Sequence, residues 1–483
     1  MAYRLTTAWA AALAACAFLT GLTKGADSGG EVGPEGVVLQ PAAWPIYADT
    51  PANESGATPP NATPAYAPAP SNAEQRPLMA ALHPTPVGQA LEQARINIFG
   101  YMEGSYQYNF MHPNPPVTLP RTPLNPGRLL DVFQHDRVYL NQLNLAIERK
   151  VDLTTHQFDI GGRVEGIFGQ DARFIHANGL LDHQQGSNPN VSPPIVGGEW
   201  QFDLYQAYFD VGVPLGNGVR VRAGKFSFFK PIDPNASIFY THTIAYAATF
   251  PYTNTGVTVM YPFSDAIRVE GGISRGWDQA LKDNNGAIDG LARVIWTPTE
   301  TTRLIGSVIF GPELYRNNHD YTTLVDITLT QAVGEKLTLY LDAVFGNQVH
   351  AVPGNIPGAF FSSSTATPLG GANWYGVSGD ALYSVNTYLD VALRLEWFRD
   401  EEGFTTNPFP PGGQNLYEAT VGASIYPLAG TALGRNFMLR PEVRYDYASK
   451  RYFDPVAFPG VPNAAVGSRH DQLTFAIDAV FNY

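Results

Sequence analysis

The sequence predicts an all-β protein, a transmembrane antiparallel β-barrel of about sixteen strands behind a disordered Pro/Ala-rich N-terminal segment. Three observations predict it. Apolar and polar residues alternate along segments longer than the strands of ordinary soluble sheets. The connections between these segments alternate between short turns and long loops, as in outer-membrane barrels. Beyond the N-terminus no stretch reaches the ~20 apolar residues that a membrane-spanning helix needs, so crossing falls to strands.

The composition agrees. Of 483 residues only 15% are charged, while 12% are aromatic, with 25 Tyr and 27 Phe. The 47 Gly and 39 Pro suit strands and turns and do not suit a helical protein. A net charge of −13 without a basic stripe excludes nucleic acid as a partner. The single cysteine, Cys16, excludes an intramolecular disulfide and a cysteine-built metal site.

The chain opens on "MAYRLTTAWAAALAACAFLTGLTKGADSGG", with Arg4, an Ala-rich apolar core and small residues after it. It reads as a secretory signal over 1–26, cut after Ala26, although Lys24 departs from the usual small-x-small pattern. "LAAC", ending at Cys16, matches a lipoprotein cleavage box, but the following "AFLTGL" is too apolar for a lipoprotein tether. From 27 to 93 the composition turns to Pro, Ala, Asn, Ser and Gly, as in "TPPNATPAYAPAPSNAEQRP". Such a segment buries too little apolar surface to offset its chain entropy and is read as a disordered periplasmic linker. The sequons at Asn53 and Asn61 carry no assigned role.

The barrel is expected over 94–483. In "RINIFGYMEGSYQYNF", Ile96, Ile98, Met102, Tyr106, Tyr108 and Phe110 share one face, and Asn97, Glu103, Ser105, Gln107 and Asn109 share the other. Similar alternation recurs with centres near 102, 143, 163, 206, 222, 258, 271, 293, 307, 327, 341, 379, 393, 421, 442 and 477. Long Pro/Gly/Asn-rich loops fall at 111–136, 172–199, 228–253, 278–287, 312–320, 347–372, 400–415 and 449–470. Turns such as "PLGNG", "PFSD", "TPTET" and "VGEK" separate them. The last segment, "DQLTFAIDAVFNY", puts Leu473, Phe475, Ile477, Phe481 and Tyr483 on one face, with Val480 an apolar intruder on the other. This strand is expected to pair with Ile96–Phe110 and close the ring. Tyr483 is the expected aromatic signal for the outer-membrane assembly machinery.

A soluble sandwich would also alternate, but its strands are shorter than these segments of roughly ten to fourteen residues, which fit a tilted crossing plus a rim. The polar face also carries charges in rows, as in Arg440, Glu442, Arg444 and Asp446. In a barrel of this size such rows are expected to wall a water-filled lumen. Trp200, Trp277, Trp296, Trp374, Trp397, Tyr261 and Tyr426, near strand ends, are expected in interfacial girdles.

"FGYMEGSYQYNF", "LNQLNLAIERKVD", "QFDLYQAYFDVGVPLGNGVRVRAGKF" and "TNTGVTVMYPFSDAIRVEGGISRGWDQALKDNNG" resemble the OmpL-like β-barrel porins, the β-barrel porin-2 family. The likeness extends over roughly 95–483. It implies an outer-membrane channel and says little about the solute, and no family site residue is carried over.

The expected pore-lining residues are Arg163, Glu165, Arg220, Arg222, Lys225, Arg268, Glu270, Arg394, Glu396, Arg440, Glu442 and Arg444. The loop 228–253 is the candidate constriction. If it folds inward, its rings Phe239, Tyr240, Tyr246, Phe250 and Tyr252 could offer a slide to solutes opposite Arg220, Arg222 and Lys225. Asp159, Asp203, Asp210 and Glu165 would offset the arginines, so no ion preference is derived. The ten His are scattered without metal-type spacing, and "DNNGAIDG" from Asp283 fails the calcium-loop spacing and reads as a turn. No catalytic residue, metal or cofactor is expected.

The expected function is passive diffusion of small hydrophilic solutes or ions through an outer-membrane barrel whose termini are both periplasmic, with a homotrimer as a common arrangement at this size. One alternative is a non-conducting structural or adhesive barrel that anchors the envelope. Another is a soluble secreted carbohydrate-binding β-protein.

Overall fold

The computed structural model describes residues 76–111, 125–182, 200–351, 357, 370–406, 412–457 and 465–483. The signal, Cys16, the sequons and most of the linker lie outside the described residues.

Sixteen strands close into one antiparallel barrel. They are β1 (Asn97–Asn109), β2 (Arg137–Arg149), β3 (Asp159–Gly169), β4 (Gln201–Val213), β5 (Val219–Phe226), β6 (Asn254–Pro262), β7 (Ile267–Trp277) and β8 (Asp289–Thr299). They continue as β9 (Thr302–Pro312), β10 (Tyr321–Val333), β11 (Leu337–Val349), β12 (Gly371–Asn386), β13 (Leu389–Asp400), β14 (Gln414–Ile425), β15 (Phe437–Ala448) and β18 (Asp471–Asn482). Each of the sixteen expected centres falls inside one of these strands. A small hairpin, β16 (Phe453–Ala457) with β17 (Ala465–Arg469), forms its own sheet within the loop expected at 449–470.

The outward face is apolar and exposed, as in Leu143, Leu145 and Ile147 on β2 or Val391, Leu393 and Leu395 on β13. The inward face of the same strands carries Asn144, Glu148, Arg394 and Glu396, all buried. Closure pairs β1 with β18, from Tyr101 opposite Asn482 to Asn109 opposite Thr474. Every barrel strand therefore has two hydrogen-bonded neighbours, which a lipid environment requires.

The last part of the segment expected as linker, 77–93, is helical. Residues Pro77–Leu82 form α1 and Pro86–Gln93 form α2, each with proline in its first turn. Thr85 caps α2 by accepting from Gly88 N–H at 3.1 Å. Met79 of α1 is buried, and Arg76 lies 4.7 Å above the Phe99 ring, so the helices rest against the short-turn end of β1.

Three expected girdle residues point inward instead. Trp374, Trp277 and Tyr426 are buried inside the barrel, while Trp200, Trp296 and Trp397 are exposed on its outer wall. Gly346 makes room for Trp374, since a Cβ there would stand 2.0 Å from the indole. Among the described residues two large apolar clusters form, beside the small pair Ile295 and Ile305. The larger gathers Phe226, Phe228, Phe229, Tyr246, Phe250, Trp277, Trp374, Phe398 and Phe404. The smaller gathers Tyr101, Phe239, Tyr340, Leu382, Met438 and Val480, so the intruder on the last strand has apolar company.

Candidate functional site

The two clusters form around residues 227–253, which leave β5, cross the barrel interior and return to β6. This strap is rich in apolar side chains, and Pro231 and Pro234 prevent it from continuing as strand. Its one α-helix, α3 (Ile244–Thr249), starts at Thr243, whose side chain accepts from Tyr246 N–H.

Irregular backbone inside a barrel needs partners for its amides and carbonyls. Charged side chains of β13 and β15 supply them. Arg440 donates to the carbonyls of Pro234 and Ser237 at 2.8 and 2.7 Å. Arg394 donates to the Thr241 carbonyl at 2.7 Å, and Arg444 donates to that of His242. Glu442 accepts from Tyr240 N–H at 2.8 Å and from the Thr241 N–H and hydroxyl. Glu396 accepts from Ile244 and Ala245 N–H at 2.6 and 2.8 Å, at the positive end of α3.

Other walls hold the strap too. Gln142 of β2 donates to the Ile232 carbonyl, and Asn482 of β18 exchanges hydrogen bonds with Asn235. The Tyr240 hydroxyl contacts Ser105, Gln134 and Asn141 at 2.7–3.1 Å. Lys230 pairs with Asp326 at 3.1 Å and with Asp342, and stands 4.2 Å over the Phe250 ring. From a second loop Arg128 bonds Asp131, Asp446 and Thr474.

Buried partners therefore surround many charges that were expected to face open water. Arg440 bonds Asp478 at 2.6 Å and Glu103 at 3.4 Å, and Arg444 bonds Asp446 at 2.8 Å. Arg163 lies between Glu165 at 2.9 Å and Glu148 at 3.6 Å. Arg222 grips Asp210 with two hydrogen bonds of 2.9 Å beneath the Tyr208 ring, and Lys225 bonds Asp203. Arg220 meets Glu270 at 3.1 Å. Arg268 is the exception, with no ion pair or hydrogen bond among the described residues. Asp159 bonds Arg149 and Arg95 at the short-turn end.

The expected aromatic slide also differs. Phe239, Tyr240, Tyr246 and Phe250 are buried in the packing of strap on wall, and Tyr252 is half-buried against it. Phe239 lies under the Arg394 guanidinium at 4.8 Å rather than opposite Arg220, Arg222 or Lys225. The sequence reading passed over Lys230, Asp326, Asp342 and Asp380. Each aspartate is a lone charge on the polar face of an alternating strand, a signal weaker than the paired charges that drew attention.

Between the strap and strands β10–β13 a cleft of about 100 Å³ remains, with Lys230, His242 and Tyr246 on the strap side and Tyr340, Asp342, Asp380 and Arg394 on the wall. His242 stacks on Tyr246 with ring centroids 4.4 Å apart. Burial, with Arg394, Arg440 and Arg444 nearby, pushes its pKa down to about 3. Among the described residues no three His, Cys, Asp or Glu side chains are grouped to hold a metal.

The profile of the family described as "Putative beta-barrel porin-2, OmpL-like" matches residues 95–483. No curated protein matches the chain. Among solved structures, the outer membrane channel DcaP of Acinetobacter baumannii is 11% identical, with 80% of this chain and 97% of that chain covered and a TM-score of 0.47. The anion-selective porin from Comamonas acidovorans is 10% identical, with coverages of 80% and 99% and a TM-score of 0.49. OprB of Pseudomonas putida at high pH is 11% identical, with coverages of 82% and 96% and a TM-score of 0.46. The likeness in each case is one of fold alone.

Proposed function

The chain belongs to the beta-barrel porin-2, OmpL-like family of outer-membrane channel proteins, and from that premise we propose that small hydrophilic solutes and ions diffuse passively through its lumen. Membership of a porin family makes it a transport protein of the bacterial outer membrane rather than an enzyme, and removes the soluble carbohydrate-binding alternative.

The cleft of about 100 Å³ beside the strap carries the reading. In this reading the strap narrows the lumen without filling it, and the cleft wall is charged on both sides. Hydrated ions and small polar molecules fit such a wall, whereas an apolar solute would leave its charges unsolvated. Of the expected pore-lining residues, we assign Arg394 to this cleft and Arg220, Arg222 and Arg268 to the opposite wall. Arg440, Glu442, Arg444 and Glu396 shape the passage by holding the strap. The short-turn end and both termini are periplasmic in this reading. Residues 1–26 act as export signal, the segment up to α1 as tether, and 94–483 as barrel.

Single-channel recording of the purified full chain in a planar bilayer tests this. Discrete open steps of small amplitude are expected. A second reading, a barrel closed to solutes and structural in role, draws on the apolar cluster that packs Phe250, Trp374, Phe398 and Phe404 into the interior. A folded protein that never conducts would favour it over the channel.

A further inference from the structure

Glu270 of β7 is shared by two arginines. Arg220 of β5 donates to one of its oxygens at 3.1 Å, and Arg293 of β8 stands 3.7 Å from the other. Two positions nearer the short-turn end, Arg268 is on the same inward face; among the described residues it has no hydrogen bond or ion pair, and the Asp265 carboxylate acts on it only from a distance. Arg220 is itself only 7% exposed, and its Nε–H is buried without an acceptor. These four side chains line one narrow cleft, floored by Met260 and Ile295. Three guanidinium groups face Glu270 there, and with Asp265 acting on Arg268 from the neighbouring turn the balance is still positive.

A second cleft shares Arg220 and Met260 and runs to Arg149 and Lys150, with Glu148 and Asp210 also in its lining and Lys150 3.9 Å from Glu148. Nothing of this kind occurs beside the strap, where Asp342 and Asp380 match Lys230 and Arg394.

We infer that the cleft of Arg220, Arg268 and Arg293 is a small-oxyanion site in the wall of the pore, taking the oxygens of phosphate or of a small carboxylate. The inference rests on the channel reading above and adds the charge class of the solute. A guanidinium presents a planar fork of N–H donors that matches two oxygens of a carboxylate or phosphate. The unused fork of Arg268 and the unused Nε–H of Arg220 are the donors such an ion would take. Met260 and Ile295 reduce competition from water on the remaining side. Because Glu270 already neutralises part of the charge, an anion is held weakly enough to leave, which conduction demands.

The test is bilayer recording with unequal KCl across the membrane, on the wild type, Arg268→Ala and Arg268→Lys, with Arg137→Ala at the other end of the barrel as control. The wild type is expected to prefer chloride over potassium. Arg268→Ala should lower that preference by about threefold, Arg268→Lys by less, and the control not at all. Inorganic phosphate and acetate, added separately, are expected to reduce the chloride current. Arg268→Ala should weaken that block by roughly tenfold for whichever oxyanion the site takes. A conducting protein whose preference and block are the same in wild type and Arg268→Ala overturns the site and leaves the channel standing. If neither protein conducts, the channel reading fails, and the site is read from the thermal midpoint in phosphate. A rise in the wild type that Arg268→Ala loses supports the site, and no rise overturns it.

Discussion

Gly100 and Tyr483 exchange two backbone hydrogen bonds, N–H to carbonyl at 3.0 Å in one direction and 2.9 Å in the other, and so fasten β1 to the end of β18. The Tyr483 hydroxyl reaches past Gly100 to the Asn144 carbonyl of β2 at 2.5 Å. A Cβ on residue 100 would stand 2.1 Å from that carbonyl oxygen and 2.9 Å from the tyrosine ring. The ring can lie across the seam only because residue 100 has no side chain.

Gly100→Val should therefore strain the seam by about 1–3 kcal/mol, the cost of overpacking a close contact. Heat-modifiable migration on gels, which separates closed barrel from open chain, should show a lower transition temperature. Gly100→Ala should give a smaller drop. An unchanged transition in both would mean that the ring moves aside freely.

Glu442→Ala should loosen the strap. It strands the amides of Tyr240 and Thr241 together with the Thr241 hydroxyl, a loss of roughly 2–4 kcal/mol from local stability. The expected signs are noisier single-channel traces with added sublevels and faster proteolysis between β5 and β6. Glu442→Gln keeps one acceptor oxygen and should have a milder effect. Traces as quiet as wild type in both variants would show that the other contacts suffice.

Phe239→Ala should act from the apolar side of the same strap. Phe239 is 2% exposed among Tyr101, Tyr340, Leu382 and Val480, and its removal should cost about 3–5 kcal/mol. Mean conductance should rise as the strap draws back from that wall. A stable protein of unchanged conductance would separate the cluster from the passage.

Acid should weaken the strap through His242. The folded pKa of about 3 lies below the ordinary value of 6.5, so the folded state resists protonation. The neutral ring's contribution is fully present above pH 6.5 and is lost progressively as pH falls toward 3. Each pH unit in that window removes at most about 1.4 kcal/mol, less where cleft water solvates the ring. Current fluctuations that grow between pH 6.5 and 4 in wild type should be reduced in His242→Gln. Equal growth in both would assign the acid response elsewhere.

The ring of strands was legible because lipid on one side and charge on the other impose a two-residue period that survives along every strand. The path of the strap was not. Thr241 and Glu442 are 201 positions apart, and no local pattern announces that a wall carboxylate will receive a loop amide. For the same reason the row Arg440, Glu442 and Arg444 reads as water-facing until the strap that covers it is in place. Trp374 near a strand end resembles a girdle residue, and only the missing side chain of Gly346 on the paired strand shows that it can turn inward. The helices at 77–93 were masked by composition, since Pro and Gly read as linker even where proline starts a helix and Gly88 lets two helices touch.

Arg440 joins the strap to the seam. Its guanidinium, which holds the strap at Pro234 and Ser237, is itself oriented by Asp478 on the last strand and Glu103 on the first. Asp478 faces Arg440 on the neighbouring strand of the same wall, and Glu103 alone reaches it from across the β1–β18 seam. Closing the ring therefore brings a last carboxylate to an anchor that β13 and β15 already supply. One guanidinium is thereby common property of the seam and the strap, so a change at either is felt by the other.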